Sequence, residues 1–202
     1  MTRARPTKAF AGVTLDLATI PAGQRFGRIY PARYPDPLGV RKTPSRFSDP
    51  RPRVAVNRFG VRYLGTSLKV CFVEAVLRDV RNGAVGDYPI DESDIRGRHY
   101  AAIETIEPLR VVDLRDDGPL RMGVPSDVVR GSNQSLARSW SVAFHTHPNC
   151  PNGVIYPSRL NGEVNLALYD RAVGNLAAAS TGSLFAAAGL AGVLNVLKVA
   201  LV

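Results

Sequence analysis

The chain has 202 residues, 45% hydrophobic and 21% charged, which suits one packed domain and excludes global disorder. Its two cysteines, Cys71 and Cys150, exclude a disulfide framework and suit a reducing cytoplasm. The net charge of +9 is lopsided: residues 1–62 carry 13 Lys/Arg against 3 Asp/Glu, and the rest is nearly neutral, so an anionic partner such as nucleic acid, a phosphorylated small molecule or an acidic protein is expected.

The first ten residues, MTRARPTKAF, are basic, but no clean apolar run follows and Asp16 interrupts the candidate segment, so no signal peptide is expected. IPAGQRFGRIY (20–30) reads as a turn leading into a strand. Residues 34–57 form a long loop dense in Pro and Arg, and such loops in compact domains are usually functional or disordered. FGVRYLG (59–65) alternates and reads as a strand. Ser67 then caps a helix, SLKVCFVEAVLRDVRNG, which Asn82-Gly83 stops; Val70, Val73, Leu77 and Val80 form its buried face.

HYAAIETIEPLRVVDL (99–114) reads as one or two strands. A short helix is expected from Pro125-Ser126-Asp127. NQSLARSWSVAF is expected to be a helix, with Leu136, Trp140 and Phe144 four apart. GVIYPS and VNLALYD alternate between turns and read as strands. Residues 172–197 carry no charge but are mostly small and include Asn175 and Asn195. A buried small-residue helix is expected there rather than a membrane span, followed by a strand near VLKVALV. Strands and helices without a regular βαβ rhythm indicate an α+β fold.

The stretch HTHPNCPNGVIYPSRLNGE (145–163) invites a metal reading. His-x-His-Pro resembles the JAMM metalloprotease motif, in which two His and an Asp converge on one zinc. Here ten residues separate His147 from Ser158, and Asn161 stands where the Asp would be. No metal site is therefore expected. The simpler reading is that His145 and His147 close a helix, where a partial positive charge is favoured.

Three other features carry chemistry. Arg46, in SRFSDP, offers a guanidinium that can grip a phosphate with two N–H groups. Glu74 is the only acidic residue between Gly65 and Arg78 and lies at the edge of a buried helix face; a carboxylate there needs a partner or a job. Its plainer reading is a weak i,i+4 pair with Arg78. Ser158 lies in a Tyr-Pro-Ser-Arg turn without the Gly-x-Ser-x-Gly elbow of a serine hydrolase.

In this order the segments resemble the RES domain family, named for its Arg, Glu and Ser. IPAGQRFGRIY is similar to the family's opening strand, with Arg28 at its arginine. SRFSDP resembles Gly-Arg-Trp/Phe-Asn-Pro, with Ser45 and Ser48 replacing the Gly and the Asn. RYLGTSLKVCFVEAV resembles Tyr-Leu-Ala…Ala-Leu-x-Glu and puts Tyr63 eleven residues before Glu74. GVIYPSR resembles Gly-Ile-x-Tyr-x-Ser and gives Ser158. An extra stretch at 51–57 lengthens the gap between Arg46 and Tyr63.

The resemblance implies an N-terminal extension (1–19) before one RES domain (20–202), with an ADP-ribosyltransferase-like α+β fold of mixed sheets and flanking helices. It implies an NAD-degrading enzyme, first an NAD phosphorylase and alternatively a glycohydrolase or an ADP-ribosyltransferase. Arg46, Glu74 and Ser158 would be catalytic, and Arg28 and Tyr63 would bind substrate. NAD is substrate rather than cofactor, and phosphate is the expected co-substrate. The implied setting is a cytoplasmic bacterial toxin with an Xre-type antitoxin, compatible with a homodimer in the toxin–antitoxin complex, and without direct nucleic-acid or membrane binding. The competing class is a non-enzymatic nucleic-acid binder using the basic first third, but aromatic residues are not interleaved with its basic ones and no nucleic-acid-binding motif appears.

Overall fold

Alternating side chains over residues 61–65 and 164–169 produce two neighbouring strands near the middle of a mixed sheet, eight-stranded among the described residues. The computed structural model describes residues 5–52, 54–78, 80, 83 and 85–202. In chain order the elements are β1 (Leu17–Ile20), β2 (Arg25–Pro31), β3 (Val61–Gly65), α1 (Leu68–Phe72), β4 (Tyr88–Ile90), α2 (Glu92–Arg96), β5 (Arg98–Thr105), β6 (Leu109–Asp113), α3 (Gly118–Arg121), α4 (Asp127–Arg130), α5 (Ser135–His145), β7 (Gly153–Pro157), β8 (Val164–Tyr169), β9 (Leu176–Ser183), α6 (Leu190–Val196) and β10 (Val199–Leu201). The large sheet has the order β1-β6-β7-β8-β3-β2-β5-β9, and β10 pairs with β4 in a small second sheet. All neighbours in the large sheet are antiparallel except β6 and β7. The fold is α+β, as expected.

Three apolar clusters hold it. On one face of the sheet, Leu136, Trp140 and Phe144 of α5 and Val128 of α4 pack on Val61, Val154 and Tyr169. Those α5 residues recur every four positions, so one face of the helix carries them all. The opposite face is filled by the sheet's own side chains, among them Phe26, Leu64, Ile103, Leu109 and Leu166. A third cluster joins Phe72 and Leu77 to Ile95, Leu184 and Leu190 beneath the C-terminal segment. Truncating a buried aromatic such as Trp140 to Ala would cost about 3–5 kcal/mol.

Most expected elements form. The stretch at 99–114 is two strands, β5 and β6, and Ser67 caps α1 by accepting from the Val70 amide at 3.0 Å. Two expectations are corrected. The helix after Ser67 is regular only to Phe72; it continues as a π turn, Val73–Leu77, and ends there. Val70, Val73 and Leu77 are buried, but Val80 lies past the helix and is 58% exposed. The proposed stop residue Asn82 lies outside the described residues.

The second correction concerns residues 172–197. They form a 3-10 turn (Asp170–Asn175), the strand β9, a second 3-10 turn (Leu184–Ala186) and α6, not one buried helix. β9 is largely exposed. Its backbone pairs with β5 from Leu176 to Ser183, satisfying main-chain groups that β5 would otherwise leave open. That pairing outweighs the high helix propensity of its alanines, which the Ser, Thr and Gly after them do not share. Among the described residues no helix is long and apolar enough to cross a membrane.

Candidate active site

Strands β2 and β3 are registered only at Gly27 and Gly65. From that point they part, and a cleft of about 240 Å3 opens between them, lined on one side by residues 27–31 and on the other by Val61, Tyr63, Leu64 and Gly65. The glycine pair also lets α1 approach closely. A Cβ on Gly65 would stand 2.6 Å from Val70 Cγ1 and 2.8 Å from Cys71 Sγ, and one on Gly27 would stand 3.0 Å from the same sulfur. One turn after Cys71 comes Glu74, carried into the cleft by the π turn. That turn is closed by the Arg78 amide donating to Val73 O at 2.7 Å. Single π turns inside helices often occur at functional sites.

Among the described residues, Glu74 Oε1 accepts two hydrogen bonds. Ser158 Oγ donates at 2.7 Å and Asn165 Nδ2 at 3.1 Å. Ser158 follows the end of β7 and is buried; its Oγ also accepts from the Leu160 amide at 3.1 Å. Asn165 lies within β8, paired with Gly65 on one side and Tyr156 on the other. Glu74 and Ser158, read separately from the sequence, are thus bonded to each other.

Arg46 is buried at the cleft wall. Its Nη1 donates to Gly131 O at 2.9 Å and Val128 O at 3.3 Å, at the end of α4. Burial lowers its pKa from the usual guanidinium value, opposed by nearby Tyr156 and Glu74. The loop around it has no regular secondary structure but is tightly bonded. Phe47 is fully buried and meets the Tyr156 ring edge-on at 4.9 Å. Ser141 Oγ donates to Phe47 O at 2.6 Å. Ser48 Oγ bonds both the amide and the carbonyl of Ser45, and Asp49 receives the Arg51 guanidinium through two nitrogens. The substituted positions Ser45 and Ser48 are therefore structural fasteners of this loop.

Tyr63 takes part in the same fastening. Its hydroxyl donates to Ser45 Oγ at 2.9 Å and accepts from the Phe47 amide at 2.8 Å. Burial raises its pKa, so it stays a neutral phenol. The ring lines the cleft while the hydroxyl is committed to the Arg46 loop.

Arg28 stands farther along the cleft. Its Nη1 donates to Pro37 O at 2.7 Å and Gly39 O at 3.0 Å. Burial and then the neighbouring Arg41 lower its pKa to about 10. Arg41, Arg98 and Arg159 also line the cleft, as does Tyr156, whose pKa burial pushes well above the usual phenol value. Sequence reasoning missed these residues and Asn165. The basic first third, expected to face an anionic partner, supplies Arg28, Arg41 and Arg46 to the cleft, while Arg62 is fully buried.

The histidines lie elsewhere. His145 ends α5 and stacks on Phe59, centroids 4.2 Å apart and 10° between planes. Burial, then Arg171, lowers its pKa to about 4, so it is neutral and the expected favourable charge at the helix end does not arise. His147 is buried, with Nδ1 accepting from the Asn149 amide at 3.2 Å and Nε2 facing Val13 O at 3.2 Å. Among the described residues no group of three His, Cys, Asp or Glu is placed to hold a metal ion.

The fold has a solved counterpart in the M. tuberculosis MbcT-MbcA toxin-antitoxin complex, with a TM-score of 0.60 over 81% of this chain and 85% of that one, at 20% identity. At the level of sequence, the "Probable toxin y4kH" of Sinorhizobium fredii (strain NBRC 101917 / NGR234) is 42% identical over 108 residues, covering 54% of this chain and 85% of that protein. The model of the RES domain matches residues 18–185, a span that holds Arg28, Arg46, Tyr63, Glu74 and Ser158, every residue that the sequence motifs singled out. By that match the chain belongs to the RES domain family.

Proposed function

We propose that this protein is the toxin of a toxin–antitoxin pair and that it degrades NAD by breaking the bond between nicotinamide and ribose, with phosphate as acceptor. The observation that carries the reading is the Glu74 carboxylate, bonded through one oxygen by Ser158 and Asn165 in a cleft whose other walls bear arginines. The scissile bond joins a cationic nicotinamide to C1 of the ribose. As it breaks, the electron pair leaves with neutral nicotinamide and positive charge develops on the sugar, as in glycoside cleavage. A fixed carboxylate stabilises that charge, and no general acid is needed for this leaving group. The attacking phosphate oxygen then forms the new C1–O bond.

In this reading Glu74 faces the ribosyl cation and Ser158 orients it. Arg46 and Arg28 serve the anionic groups, which would require each to keep or exchange its present carbonyl partners. Tyr63 holds the Arg46 loop and offers its ring to the substrate. NAD is the substrate, not a resident cofactor. Water as acceptor would make the enzyme a glycohydrolase, and a protein side chain would make it an ADP-ribosyltransferase. The toxin role is supported by the naming of the relative and the fold neighbour as toxins, and an Xre-type antitoxin is the proposed partner, with a homodimer compatible within that complex. A cytoplasmic setting accords with NAD as substrate. Direct nucleic-acid binding is disfavoured because aromatic residues are not interleaved with the basic ones and no nucleic-acid-binding motif appears.

The test is incubation of purified protein with NAD, with and without phosphate, and mass determination of the products. Nicotinamide together with a phosphorylated ADP-ribose, formed only when phosphate is present, is the expected result. ADP-ribose alone would replace phosphate by water, and intact NAD would overturn the reading.

A further inference from the structure

We propose that Asn165 is a positioning residue for the Glu74 carboxylate, acting with Ser158 to fix it before substrate arrives. This rests on Glu74 serving the NAD reaction proposed above. Asn165 is 4% exposed and lies in β8, where Leu166, Ala167, Leu168 and Tyr169 are all buried apolar or aromatic residues. Asparagine is a poor strand former, and burying its amide is costly unless the amide is bonded. Here its Nδ2 donates to Glu74 Oε1 at 3.1 Å.

The surroundings are shaped for that contact. Asn165 pairs in register with Gly65, where a Cβ would stand 3.5 Å from Asn165 Oδ1 and closer still to Val70 and Cys71 of α1. On its other side it pairs with Tyr156, another lining residue of the cleft. Ser158 reaches the same oxygen from just beyond β7. Two donors from separate segments thus meet on one oxygen, one from a strand interior and one from a turn. A carboxylate held by one donor can still rotate about its last torsion; two donors from different directions remove that freedom. Charge that opposes a developing cation acts best when it needs no rearrangement during reaction. Misplacement by about 1 Å can cost about 10²-fold in rate.

Two substitutions separate positioning from packing. Asn165→Ala removes the donor and leaves the strand. It is expected to lower kcat by about 10²-fold, with KM for NAD within about twofold. Asn165→Asp keeps the size but sets a second carboxylate against Glu74. Two such groups cannot both ionise freely, so the acid limb of the kcat–pH profile should move up by at least about one pH unit. A packing role alone would lower the thermal midpoint and leave kcat of folded Asn165→Ala unchanged.

Wild-type enzyme is assayed alongside, with thermal melts of all three proteins. Active wild type, folded variants, the fall in kcat and the shifted limb support the proposal. Active wild type with unchanged kcat in folded Asn165→Ala, or with an unshifted limb in Asn165→Asp, overturns it alone. Wild type that leaves NAD intact overturns the NAD reading and this inference together. If Asn165→Ala fails to fold, the profile of Asn165→Asp decides, and if both fail to fold Asn165 is a packing residue and the proposal is wrong.

Discussion

Ser158 Oγ donates to Glu74 Oε1 at 2.7 Å, although the two residues are 84 positions apart. The bond ties the π turn after α1 to the turn after β7. Ser158→Ala should remove one donor from the carboxylate and leave the Leu160 amide without its acceptor. A hydrogen bond to a charged group contributes about 1.5–3 kcal/mol. The expected result is at least about a tenfold loss of kcat in a folded protein, read by steady-state kinetics beside a denaturation curve. Unchanged kcat would show that the Ser158 bond does not hold Glu74 for the reaction.

Tyr63→Phe tests the fastening of the Arg46 loop. The change keeps the ring in the cleft but strips the Phe47 amide of its acceptor and Ser45 of its donor. An unsatisfied buried donor costs about 1–3 kcal/mol. Urea unfolding should show a loss of that size, and KM for the anionic substrates should rise as Arg46 loses its support. Stability and KM equal to wild type would show that the phenol hydroxyl does not hold the loop.

Much of this site was legible before the fold was known, because its parts occur in short segments with fixed chemistry. Arg46, Glu74 and Ser158 each stood out locally, and the fold brings Ser158 onto Glu74 and Arg46 into the same cleft. Asn165 was not legible. In VNLALYD it reads as one polar residue in an alternating strand, and only its register between Gly65 and Tyr156 gives it a role. β9 was hidden for a related reason. Its alanines favour a helix locally, and pairing with the edge of β5 overrides that preference from afar. The carbonyl partners of Arg28 and Arg46 depend on loop and helix ends that no spacing rule encodes.

Arg62 presents a cost without a visible return. It is fully buried on β3, and none of its three guanidinium nitrogens has a hydrogen-bond partner among the described residues. Burial, then repulsion from Arg28, lowers its pKa to about 10. Replacing buried ionic groups by apolar ones of similar volume often stabilises by about 1–4 kcal/mol. Arg62→Met should therefore raise the urea midpoint. A lowered midpoint would show that the guanidinium is satisfied in solution.

Acid should weaken the protein before its carboxylates titrate. His145 has a folded pKa of about 4 against an ordinary value near 6.5, so between these values the unfolded chain binds the extra proton. Its contribution is complete above about pH 6.5 and is lost progressively as pH falls toward 4. Asp49, Asp113 and Glu163 act lower. Burial raises their pKa values, but hydrogen bonds from Arg51, Arg115 and Lys69 respectively outweigh it and hold them below the carboxylate range. Thermal melts from pH 7 to 4.5 should show a decline in wild type that His145→Phe flattens, since phenylalanine can keep the stack on Phe59 without titrating. An equal decline in both proteins would remove His145 as the cause.

The most direct measurement is NAD turnover by wild type and Glu74→Gln, each shown to be folded by a thermal melt. The amide preserves size and can still accept from Ser158, but it carries no charge to oppose a ribosyl cation. Loss of one preorganised electrostatic group typically costs about 10²–10³-fold. Wild type should release nicotinamide in the presence of phosphate, and folded Glu74→Gln should do so at least about a hundredfold more slowly. In cells, expression of wild type should deplete NAD and slow growth, and Glu74→Gln should do neither. Equal turnover by the two folded proteins, or no turnover by wild type, would contradict the assignment of the Glu74 carboxylate to this chemistry.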